Sequence, residues 1–274
     1  RSAIDAVASF AGSYSVGLIL TRQVYQAGRY SAREAAVIAT GFSTVSVTFM
    51  VVVARTLALT DSWNAWFWST LLVTFAVSAI TVRLPPLSGM DNRRARPEVD
   101  DSKIHSGERF SLFRLAWKEG VEVAGAARPL VPLMWESVVD GLRMATRVVP
   151  SILAIGMLGL LLAKYTPVFD LLGYLLYPFA WLSQLDSPMQ VSSALASGLA
   201  EMFLPAIQST DLTASARFTV GVVSVSSILF FSASIPCVLA TEIPISIWQM
   251  VVIWFQRTAL SIPLAAGLAR LFIT

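Results

Sequence analysis

The stretch that decides the fold is Ser-Ala-Arg-Glu-Ala-Ala-Val-Ile-Ala-Thr-Gly-Phe-Ser-Thr-Val-Ser, residues 31–46. Its first residue, Ser31, precedes Glu34 by the three positions of a capping box, which predicts that a helix begins there. Residues 35–59 contain a single charge, Arg55, and exceed the roughly 20 residues that a transmembrane helix needs. The stretch therefore predicts a helix that crosses a membrane with a row of small and hydroxyl-bearing residues inside it.

The composition of the whole chain supports a membrane protein. Of its 274 residues, 55% are hydrophobic and 14% are charged, and the mean hydropathy is +0.68. Soluble domains carry about 25% charged residues. Residues 83–119 alone hold 14 of the 37 charges. The predicted fold class is therefore all-α: a polytopic α-helical membrane protein with one water-exposed linker.

The same composition excludes several kinds of site. A single cysteine, Cys237, excludes an internal disulfide and a Cys-based zinc site, and a single histidine, His105, excludes a His-pair metal site. No run is dense enough in Lys and Arg to follow a nucleic-acid backbone. No His, Lys or Asp base stands at helical spacing beside a serine. The sequence therefore predicts no enzyme, no cofactor, no metal site and no nucleic-acid partner.

Two segments rich in small residues predict re-entrant hairpins. Residues 5–20 are short for a straight span of about 20 residues and contain the polar cluster 12–17 in their middle. Residues 187–207 are likewise rich in small residues, which are followed by Glu201 and Pro205. Broken backbone is tolerated at membrane depth only against protein or a water-filled cavity. For the first segment, a single glycine-containing spanning helix stays open as the alternative.

The other segments predict the remaining membrane elements. Residues 21–34 form a polar loop after the first hairpin. Trp63, Trp66 and Trp68 stand at the start of the second span and are typical of interface anchors. The predicted elements are a span over 62–82, an interfacial helix over 134–147 with its charges on one face, a span over 148–163, a flat or dipping segment over 168–182, a Ser-rich span over 215–240 and a last span over 245–272 interrupted by Arg257 and Pro263.

The charged residues 84–119 predict a flexible, solvated linker and also orient the chain. Because cytoplasmic loops carry an excess of Lys and Arg, the linker is expected in the cytoplasm. Because each predicted span crosses the membrane once, the turn at Asp61 is then expected outside and the loop with Arg22, Arg29 and Arg33 inside. The two loops richest in Lys and Arg then lie on the same side.

The two halves of the chain resemble each other. Ala8 and Ala196 lie 188 residues apart, and so do Phe67 and Phe255. Each half has a small-residue hairpin, a polar loop, a Ser-rich helix, a tight turn and a span led by Trp or Phe. Repeats of broken helices indicate transporter folds. Whether the repeats are inverted or parallel stays open at this stage.

The repeat predicts how the chain is divided. Because it opens at Arg1 without an initiator Met, we expect it to be a fragment that lacks helices before the first hairpin. The predicted parts are residues 1–83, the C-terminal part of the first repeat; 84–119, the cytoplasmic linker; and 120–274, the second repeat.

Two stretches resemble a known family. Asp-Ala-Val-Ala-Ser-Phe-Ala-Gly-Ser-Tyr-Ser-Val-Gly, residues 5–17, followed by residues 31–46, resembles the nucleoside-recognition or Gate domain, and most closely the YjiH-type bacterial inner-membrane proteins. Residues 41–46 are similar to a Gly-Phe-Ala-Thr-Val-Ala-type helix of concentrative nucleoside transporters, and residues 198–205 resemble the second Gate repeat. The resemblance covers nearly the whole chain outside the linker.

The resemblance implies a fold and a function. The fold would have two Gate-like repeats whose hairpins, with the Ser/Thr-rich helices that follow, face a central ligand. The expected function is a transporter, or a subunit of one, that moves a small polar solute across the bacterial inner membrane with coupled H⁺ or Na⁺. A non-transporting scaffold or regulatory subunit, as among the related spore-maturation membrane proteins, stays open. The expected partners are the lipid bilayer, the solute, and a second Gate-domain subunit or a second copy.

The first hairpin departs from the family pattern. Nucleoside transporters carry a Gln-Thr-Glu type sequence at the hairpin tip, whereas this chain has Ser13, Tyr14 and Ser15. Nucleoside specificity is therefore not carried over, although a nucleoside-like solute is not excluded.

Among single residues, Glu201 is the strongest candidate for a functional role. A carboxylate in an apolar segment costs about 2.5–3.5 kcal/mol on insertion scales, so it should face a cavity or a partner. It could bind substrate or a coupling cation, carry a proton, or form a structural pair with Arg257. Hydroxyls in the helices could line a ligand or serve close helix packing. The expected substrate-binding residues are Ser13, Tyr14, Ser15, Thr40, Ser43, Thr44, Glu201, Ser224 and Ser227.

Overall fold

The computed structural model describes residues 14–41, 45–93, 121, 125 and 130–273. These residues are helical or lie in turns, and none of them forms a β-strand. The chain divides into two compact units, one made of Arg1–Ala95 with Ser151–Thr274 and the other of Arg96–Pro150. The first unit contains most of both predicted repeats, and all contacts reported below lie within it.

The helices are short in the middle of each half and long at its end. In chain order they are α1 Tyr14–Gln26, α2 Ala32–Gly41, α3 Val47–Thr56, α4 Trp63–Thr81, α5 Leu130–Tyr165, α6 Val168–Leu182, α7 Pro188–Ser197, α8 Leu204–Gln208, α9 Ala214–Ser227, α10 Ser234–Leu239 and α11 Ile247–Phe272, with a 3₁₀ turn at Leu87–Gly89.

The predicted span over residues 35–59 is broken into two helices. The capping box is confirmed: the Ser31 N–H donates to Glu34 Oε2 at 2.9 Å, and the Glu34 N–H donates to Ser31 Oγ at 3.1 Å. Helix α2 ends at Gly41 and α3 begins at Val47, while residues 42–44 lie outside the described residues. Ser46 caps α3 by accepting the Phe49 N–H at 3.3 Å. The single span was a wrong prediction because this serine starts a second helix.

The predicted span over residues 215–240 is broken in the same way. Helix α9 ends at Ser227 and α10 begins at Ser234. At the break, Ile228 has φ 63° and ψ −37°, and the Leu229 N–H donates to the Ser227 carbonyl at 2.7 Å. This is a classic γ-turn, which is rare and strained, and a β-branched residue at positive φ adds to that strain. Periodicity could not reveal this break because the residues are apolar or Ser on both sides of it.

The predicted break within residues 187–207 is present. Helix α7 ends at Ser197, and α8 begins at Leu204. A Cβ atom at Gly198 would lie 2.9 Å from the Leu195 carbonyl oxygen and 3.2 Å from Pro205 Cγ. The start of α8 therefore packs directly on the end of α7, and only glycine fits at this point.

The first predicted hairpin is described only in its second part. Residues 1–13 lie outside the described residues, and α1 is one continuous helix from Tyr14 to Gln26. The polar loop predicted over residues 21–34 therefore begins only at Ala27. The helix tolerates the buried Thr21 because its hydroxyl donates to the Gly17 carbonyl at 2.8 Å.

Among the described residues, α4 and α11 are long and apolar enough to cross a membrane. The predicted helix over 62–82 is confirmed as α4, and α11 runs through Arg257 and Pro263 without the predicted interruption. Trp66 is fully buried, whereas Trp68 is 65% exposed. The prediction that Trp66 anchors an interface was wrong, since its indole packs where Gly221 leaves room.

Two further segments differ from the prediction. Residues 134–163 lie in the single helix α5, which contains Pro150, so no separate interfacial helix ends before the span. The predicted linker over 84–119 starts as packed structure: Leu87 is 1% exposed, and the Asp91 carbonyl accepts the Arg33 N–H at 3.1 Å. Those contacts bury an apolar side chain and satisfy a helix-end N–H. Residues 94–119 lie outside the described residues. Helix α6, by contrast, has the predicted bounds, 168–182.

The two broken helices α2 and α9 run in opposite directions. Helix α2 is antiparallel to α4, because Arg33 Nη2 donates to the Val82 carbonyl at 3.0 Å and Ser78 Oγ lies 2.5 Å from the Gly41 carbonyl. Helix α9 runs in the same sense as α4: Gly221 packs on Trp66, near the start of α4, and Ser226 is linked through Arg257 to Ser78, near its end. The C-terminal ends of α2 and α9 therefore converge.

Candidate functional site

Arg257 lies at the point where these two helix ends meet. It is in the middle of α11 and has no exposed surface. Its Nε and Nη2 donate to the Ser226 carbonyl oxygen at 3.2 and 2.6 Å. Its Nη1 donates to Ser78 Oγ at 2.9 Å. The guanidinium is thereby held by the last turn of α9 on one side and by α4 on the other.

Ser78 extends this contact to the end of α2. Its hydroxyl oxygen accepts the Arg257 N–H and lies 2.5 Å from the Gly41 carbonyl and 2.7 Å from the Thr74 carbonyl, to either of which it can donate. Each helix C-terminus carries roughly −0.5 elementary charge, so two ends supply about −1. This equals the charge of one guanidinium in magnitude.

Arg257 and Glu201 do not form the ion pair that was considered from the sequence. No carboxylate of the described residues lies within ion-pair distance of Arg257. Its neutralising partners are helix ends, carbonyl oxygens and a hydroxyl, none of which carries a full charge. Sequence patterns cannot show such partners because they are formed by the backbone.

Glu201 lies in the break between α7 and α8 and is half-buried. Its Oε2 accepts the Phe203 N–H at 2.6 Å, and the N–H groups of Met202 and Leu204 also interact with the carboxylate. No basic side chain of the described chain pairs with it. The carboxylate thus uses free N–H groups at the start of α8 as partners and keeps part of its surface accessible.

The break that carries Glu201 is joined to the break between α9 and α10. The Phe231 N–H donates to the Leu199 carbonyl at 2.8 Å. The Ser232 N–H donates to the Ala200 carbonyl at 3.0 Å. These two hydrogen bonds place the two non-helical segments side by side. Residues 199 and 200, which accept them, come directly before Glu201 in the chain.

Aromatic packing brings α3 to the same region. The rings of Phe49 and Phe203 meet edge to face with their centroids 5.8 Å apart. Phe49 lies in the first turn of α3, just after the break of the first half, and Phe203 follows Glu201 by two residues. The described ends of the first-half break therefore lie near the second-half breaks.

The predicted hydroxyl residues are buried and bonded within their own helices. Thr40 Oγ1 donates to the Ala36 carbonyl at 2.7 Å. Ser224 Oγ donates to the Gly221 carbonyl at 3.2 Å, and Ser227 Oγ donates to the Ser224 carbonyl at 3.1 Å. Such bonds use the hydroxyl hydrogen and leave the oxygen lone pairs for other partners.

Some of the other predicted substrate-binding residues lie outside the described part of the chain. Tyr14 Oη donates to the Ala39 carbonyl at 3.0 Å and lies within electrostatic range of Cys237 and Arg257. Ser13, Ser43 and Thr44 lie outside the described residues; Ser15 lies in α1, but its side chain is not described. Arg257 therefore links the ends of α2 and α9, while Glu201 lies at the joined breaks.

Three residues of this region were not among the predicted substrate-binding residues. Ser78 lies on one face of α4 with Thr70 and Thr74 at four-residue spacing, a pattern that was present in the sequence. Ser226 acts through its carbonyl oxygen, which no side-chain pattern reveals. Ser232 Oγ is buried without a hydrogen-bond partner among the described residues. The described residues contain no cluster of His, Cys, Asp and Glu that could hold a metal ion.

Comparisons with known proteins find one relative of interest. No family model matches the chain, and no solved structure matches it. An uncharacterized protein of Alkalihalophilus pseudofirmus is 31% identical over 281 residues, which cover 99% of this chain. The chain spans 59% of that relative's length. The likeness therefore extends over both halves of the chain.

Proposed function

We propose that the chain is part of a bacterial inner-membrane transporter that moves a small polar solute, with its site at the joined breaks beside Glu201. The observation that carries the proposal is the pairing of two non-helical segments by the hydrogen bonds from Phe231 to Leu199 and from Ser232 to Ala200. Broken helices in transporters supply free backbone groups to substrates and ions near the membrane midplane. A half-buried carboxylate at this point provides a polar contact for a solute or a proton.

The surface of the described helices supports a membrane environment. Helices α4 and α11 have the length and apolar composition of spans. The second half also presents a group of large apolar side chains that would be costly in water but favourable against lipid. On α6 the exposed ones are Val168, Leu171, Tyr174, Leu175, Trp181 and Leu182.

The opposite directions of α2 and α9 support two Gate-like repeats of inverted topology. Each half has a capped helix that ends at a break, then a short helix, a turn and a long helix. Repeats related by inversion place a substrate site at their interface and allow alternating access by movement of one repeat against the other. The convergence of α2 and α9 fits this arrangement.

The test is solute uptake by the purified chain in proteoliposomes. The probes are radiolabelled uridine, adenosine, glycine, glutamate and succinate, each offered with and without an inward H⁺ or Na⁺ gradient. We expect at least one of them to accumulate above protein-free vesicles. We expect Glu201→Gln to reduce that uptake at least about tenfold, which corresponds to about 1.4 kcal/mol of lost interaction.

The matched control is Glu242→Gln. Glu242 is an exposed carboxylate whose Oε1 lies 3.1 Å from Arg22 at the surface. We expect this variant to retain uptake, because exposed ion pairs contribute little. Equal uptake by Glu201→Gln and the unmodified chain would exclude Glu201 from the site. No uptake of any probe, together with a stoichiometric partner in purification, would favour the scaffold function instead.

A further inference from the structure

Arg257 occupies a position that in other transporters suits a dissolved cation. Half-helix C-terminal ends and unwound carbonyl groups coordinate Na⁺ in several transporter folds. Here the Ser226 carbonyl belongs to the last turn of α9, and the Gly41 carbonyl ends α2. Both are engaged by Arg257, the first directly and the second through the Ser78 hydroxyl.

The charges at this point balance without any ion from solution. Arginine stays protonated at neutral pH even when buried. The two helix ends together carry about −1 elementary charge, which one guanidinium neutralises. No acidic side chain of the described residues is paired with Arg257, so no further negative charge is left there to attract a second cation.

We propose that Arg257 is a built-in cation that replaces Na⁺ at the converging ends of α2 and α9, so that this site neither binds nor requires an alkali cation. The consequence for coupling rests on the proposed transporter function: the converging ends of α2 and α9 then contribute no Na⁺ coupling to transport. The consequence for stability does not depend on transport: removal of the guanidinium charge leaves two helix ends that a dissolved cation can neutralise.

The first experiment compares salts on the purified full chain in detergent. Thermal unfolding is measured in NaCl and in choline chloride at equal ionic strength. We expect the unmodified chain to unfold at the same temperature in both salts. We expect Arg257→Gln to be less stable in choline and to gain about 2–5 °C, saturably, from NaCl or millimolar guanidinium chloride.

The matched controls separate charge from packing. Arg55→Gln removes an exposed arginine from the last turn of α3, and we expect it to show no response to Na⁺. Arg257→Lys keeps a positive charge, and we expect it to be insensitive to Na⁺ as well. A folded Arg257→Gln that responds to neither cation would overturn the proposal, and so would a saturable response of Arg257→Lys to Na⁺.

The second experiment measures binding of ²²Na⁺ to the unmodified chain and to Glu201→Gln. We expect no saturable binding; saturable binding that persists in Glu201→Gln would overturn the inference, whereas binding that is lost in Glu201→Gln would place the ion at Glu201 and leave the inference intact. Uptake separates the inference from the proposed function. Solute uptake that requires Na⁺, together with ²²Na⁺ binding that persists in Glu201→Gln, would refute the inference and support a transporter, whereas no uptake with no ²²Na⁺ binding would refute only the transporter.

Discussion

Ile228 shows that a single residue can hold the chain out of a helix. Its positive φ, 63°, occurs at the end of α9 in a side chain that is almost fully buried. Left-handed backbone costs an L-residue of this kind about 1–3 kcal/mol, and such strain persists only where surrounding contacts enforce it. Ile228 precedes the segment that pairs with the Glu201 break, so the strain lies at the candidate site.

The strain at Ile228 predicts that glycine is a more stable replacement than alanine at this position, the reverse of the usual order in a helix. Both Ile228→Gly and Ile228→Ala remove the buried side chain, but glycine accepts positive φ without strain. We therefore expect the glycine variant to be more stable than the alanine variant by about 1 kcal/mol. The measurement is thermal unfolding of the purified variants in detergent.

Ile253 provides the reference position, since it is buried within the regular helix α11. There we expect alanine to be more stable than glycine by about 1 kcal/mol, the usual order in a helix. If alanine is the more stable variant at both positions, Ile228 is not strained in solution.

At the scale of elements, close contact between α9 and α4 depends on a glycine. A Cβ atom at Gly221 would lie 2.8 Å from Trp66 Nε1 and 2.9 Å from Leu57 Cδ1. The indole and the leucine are both fully buried and have little room to move. The separation of these two helices is therefore determined at Gly221.

We expect Gly221→Ala to destabilise the protein by about 1–3 kcal/mol, the usual cost of adding a methyl group to a packed interior. Gly267→Ala is the control, because outside the adjacent backbone of α11 no atom of the described residues lies within 4 Å of a Cβ placed there. That variant should be neutral or more stable, since alanine favours the helix by up to about 1 kcal/mol. Thermal unfolding of both variants in detergent tests this, and equal stability would contradict the contact.

The elements also show how far patterns in the sequence extend. Helices α4 and α6 were predicted to within one residue because their apolar runs are bounded by turn residues or prolines. The capping box at the start of α2 was predicted because it depends on two residues three positions apart. The breaks after α2 and α9 were missed, since apolar and hydroxyl residues continue across them without a change of pattern.

At the scale of the whole molecule, the contacts orient the second half, which its loop charges could not do. Glu242 is paired with Arg22, so it lies at the same end as the loop predicted to be cytoplasmic. The middle of α9 lies toward the opposite end, since Gly221 packs near Leu57 and Leu59, just before the Asp61 turn, and the start of α9 lies one to two turns before Gly221 in the chain. From these contacts we predict that the two halves have opposite orientations in the membrane.

This orientation predicts which residues are labelled from each side of the membrane. In a Cys237→Ser background, single cysteines are placed at exposed positions and treated with a membrane-impermeant maleimide in intact cells and in inverted vesicles. We expect Ser88→Cys and Glu242→Cys to react from the cytoplasmic side, because basic loops stay inside. We expect Asp61→Cys and Asp211→Cys to react from the other side. Labelling of Glu242→Cys on the same side as Asp61→Cys would indicate parallel repeats.

The sequence by itself determined the helical class of the described residues, the long apolar helices and the presence of one charged region, because these depend on composition and local spacing. It also singled out Glu201 and Arg257 as charges in apolar segments, since burying a charge is costly wherever the segment lies. Only the tertiary structure decided what neutralises Arg257. Its partners are backbone carbonyls and a hydroxyl from helices far apart in the chain. The relative directions of α2 and α9, the strain at Ile228 and the pairing of the two breaks likewise arise only when segments distant in the chain come into contact.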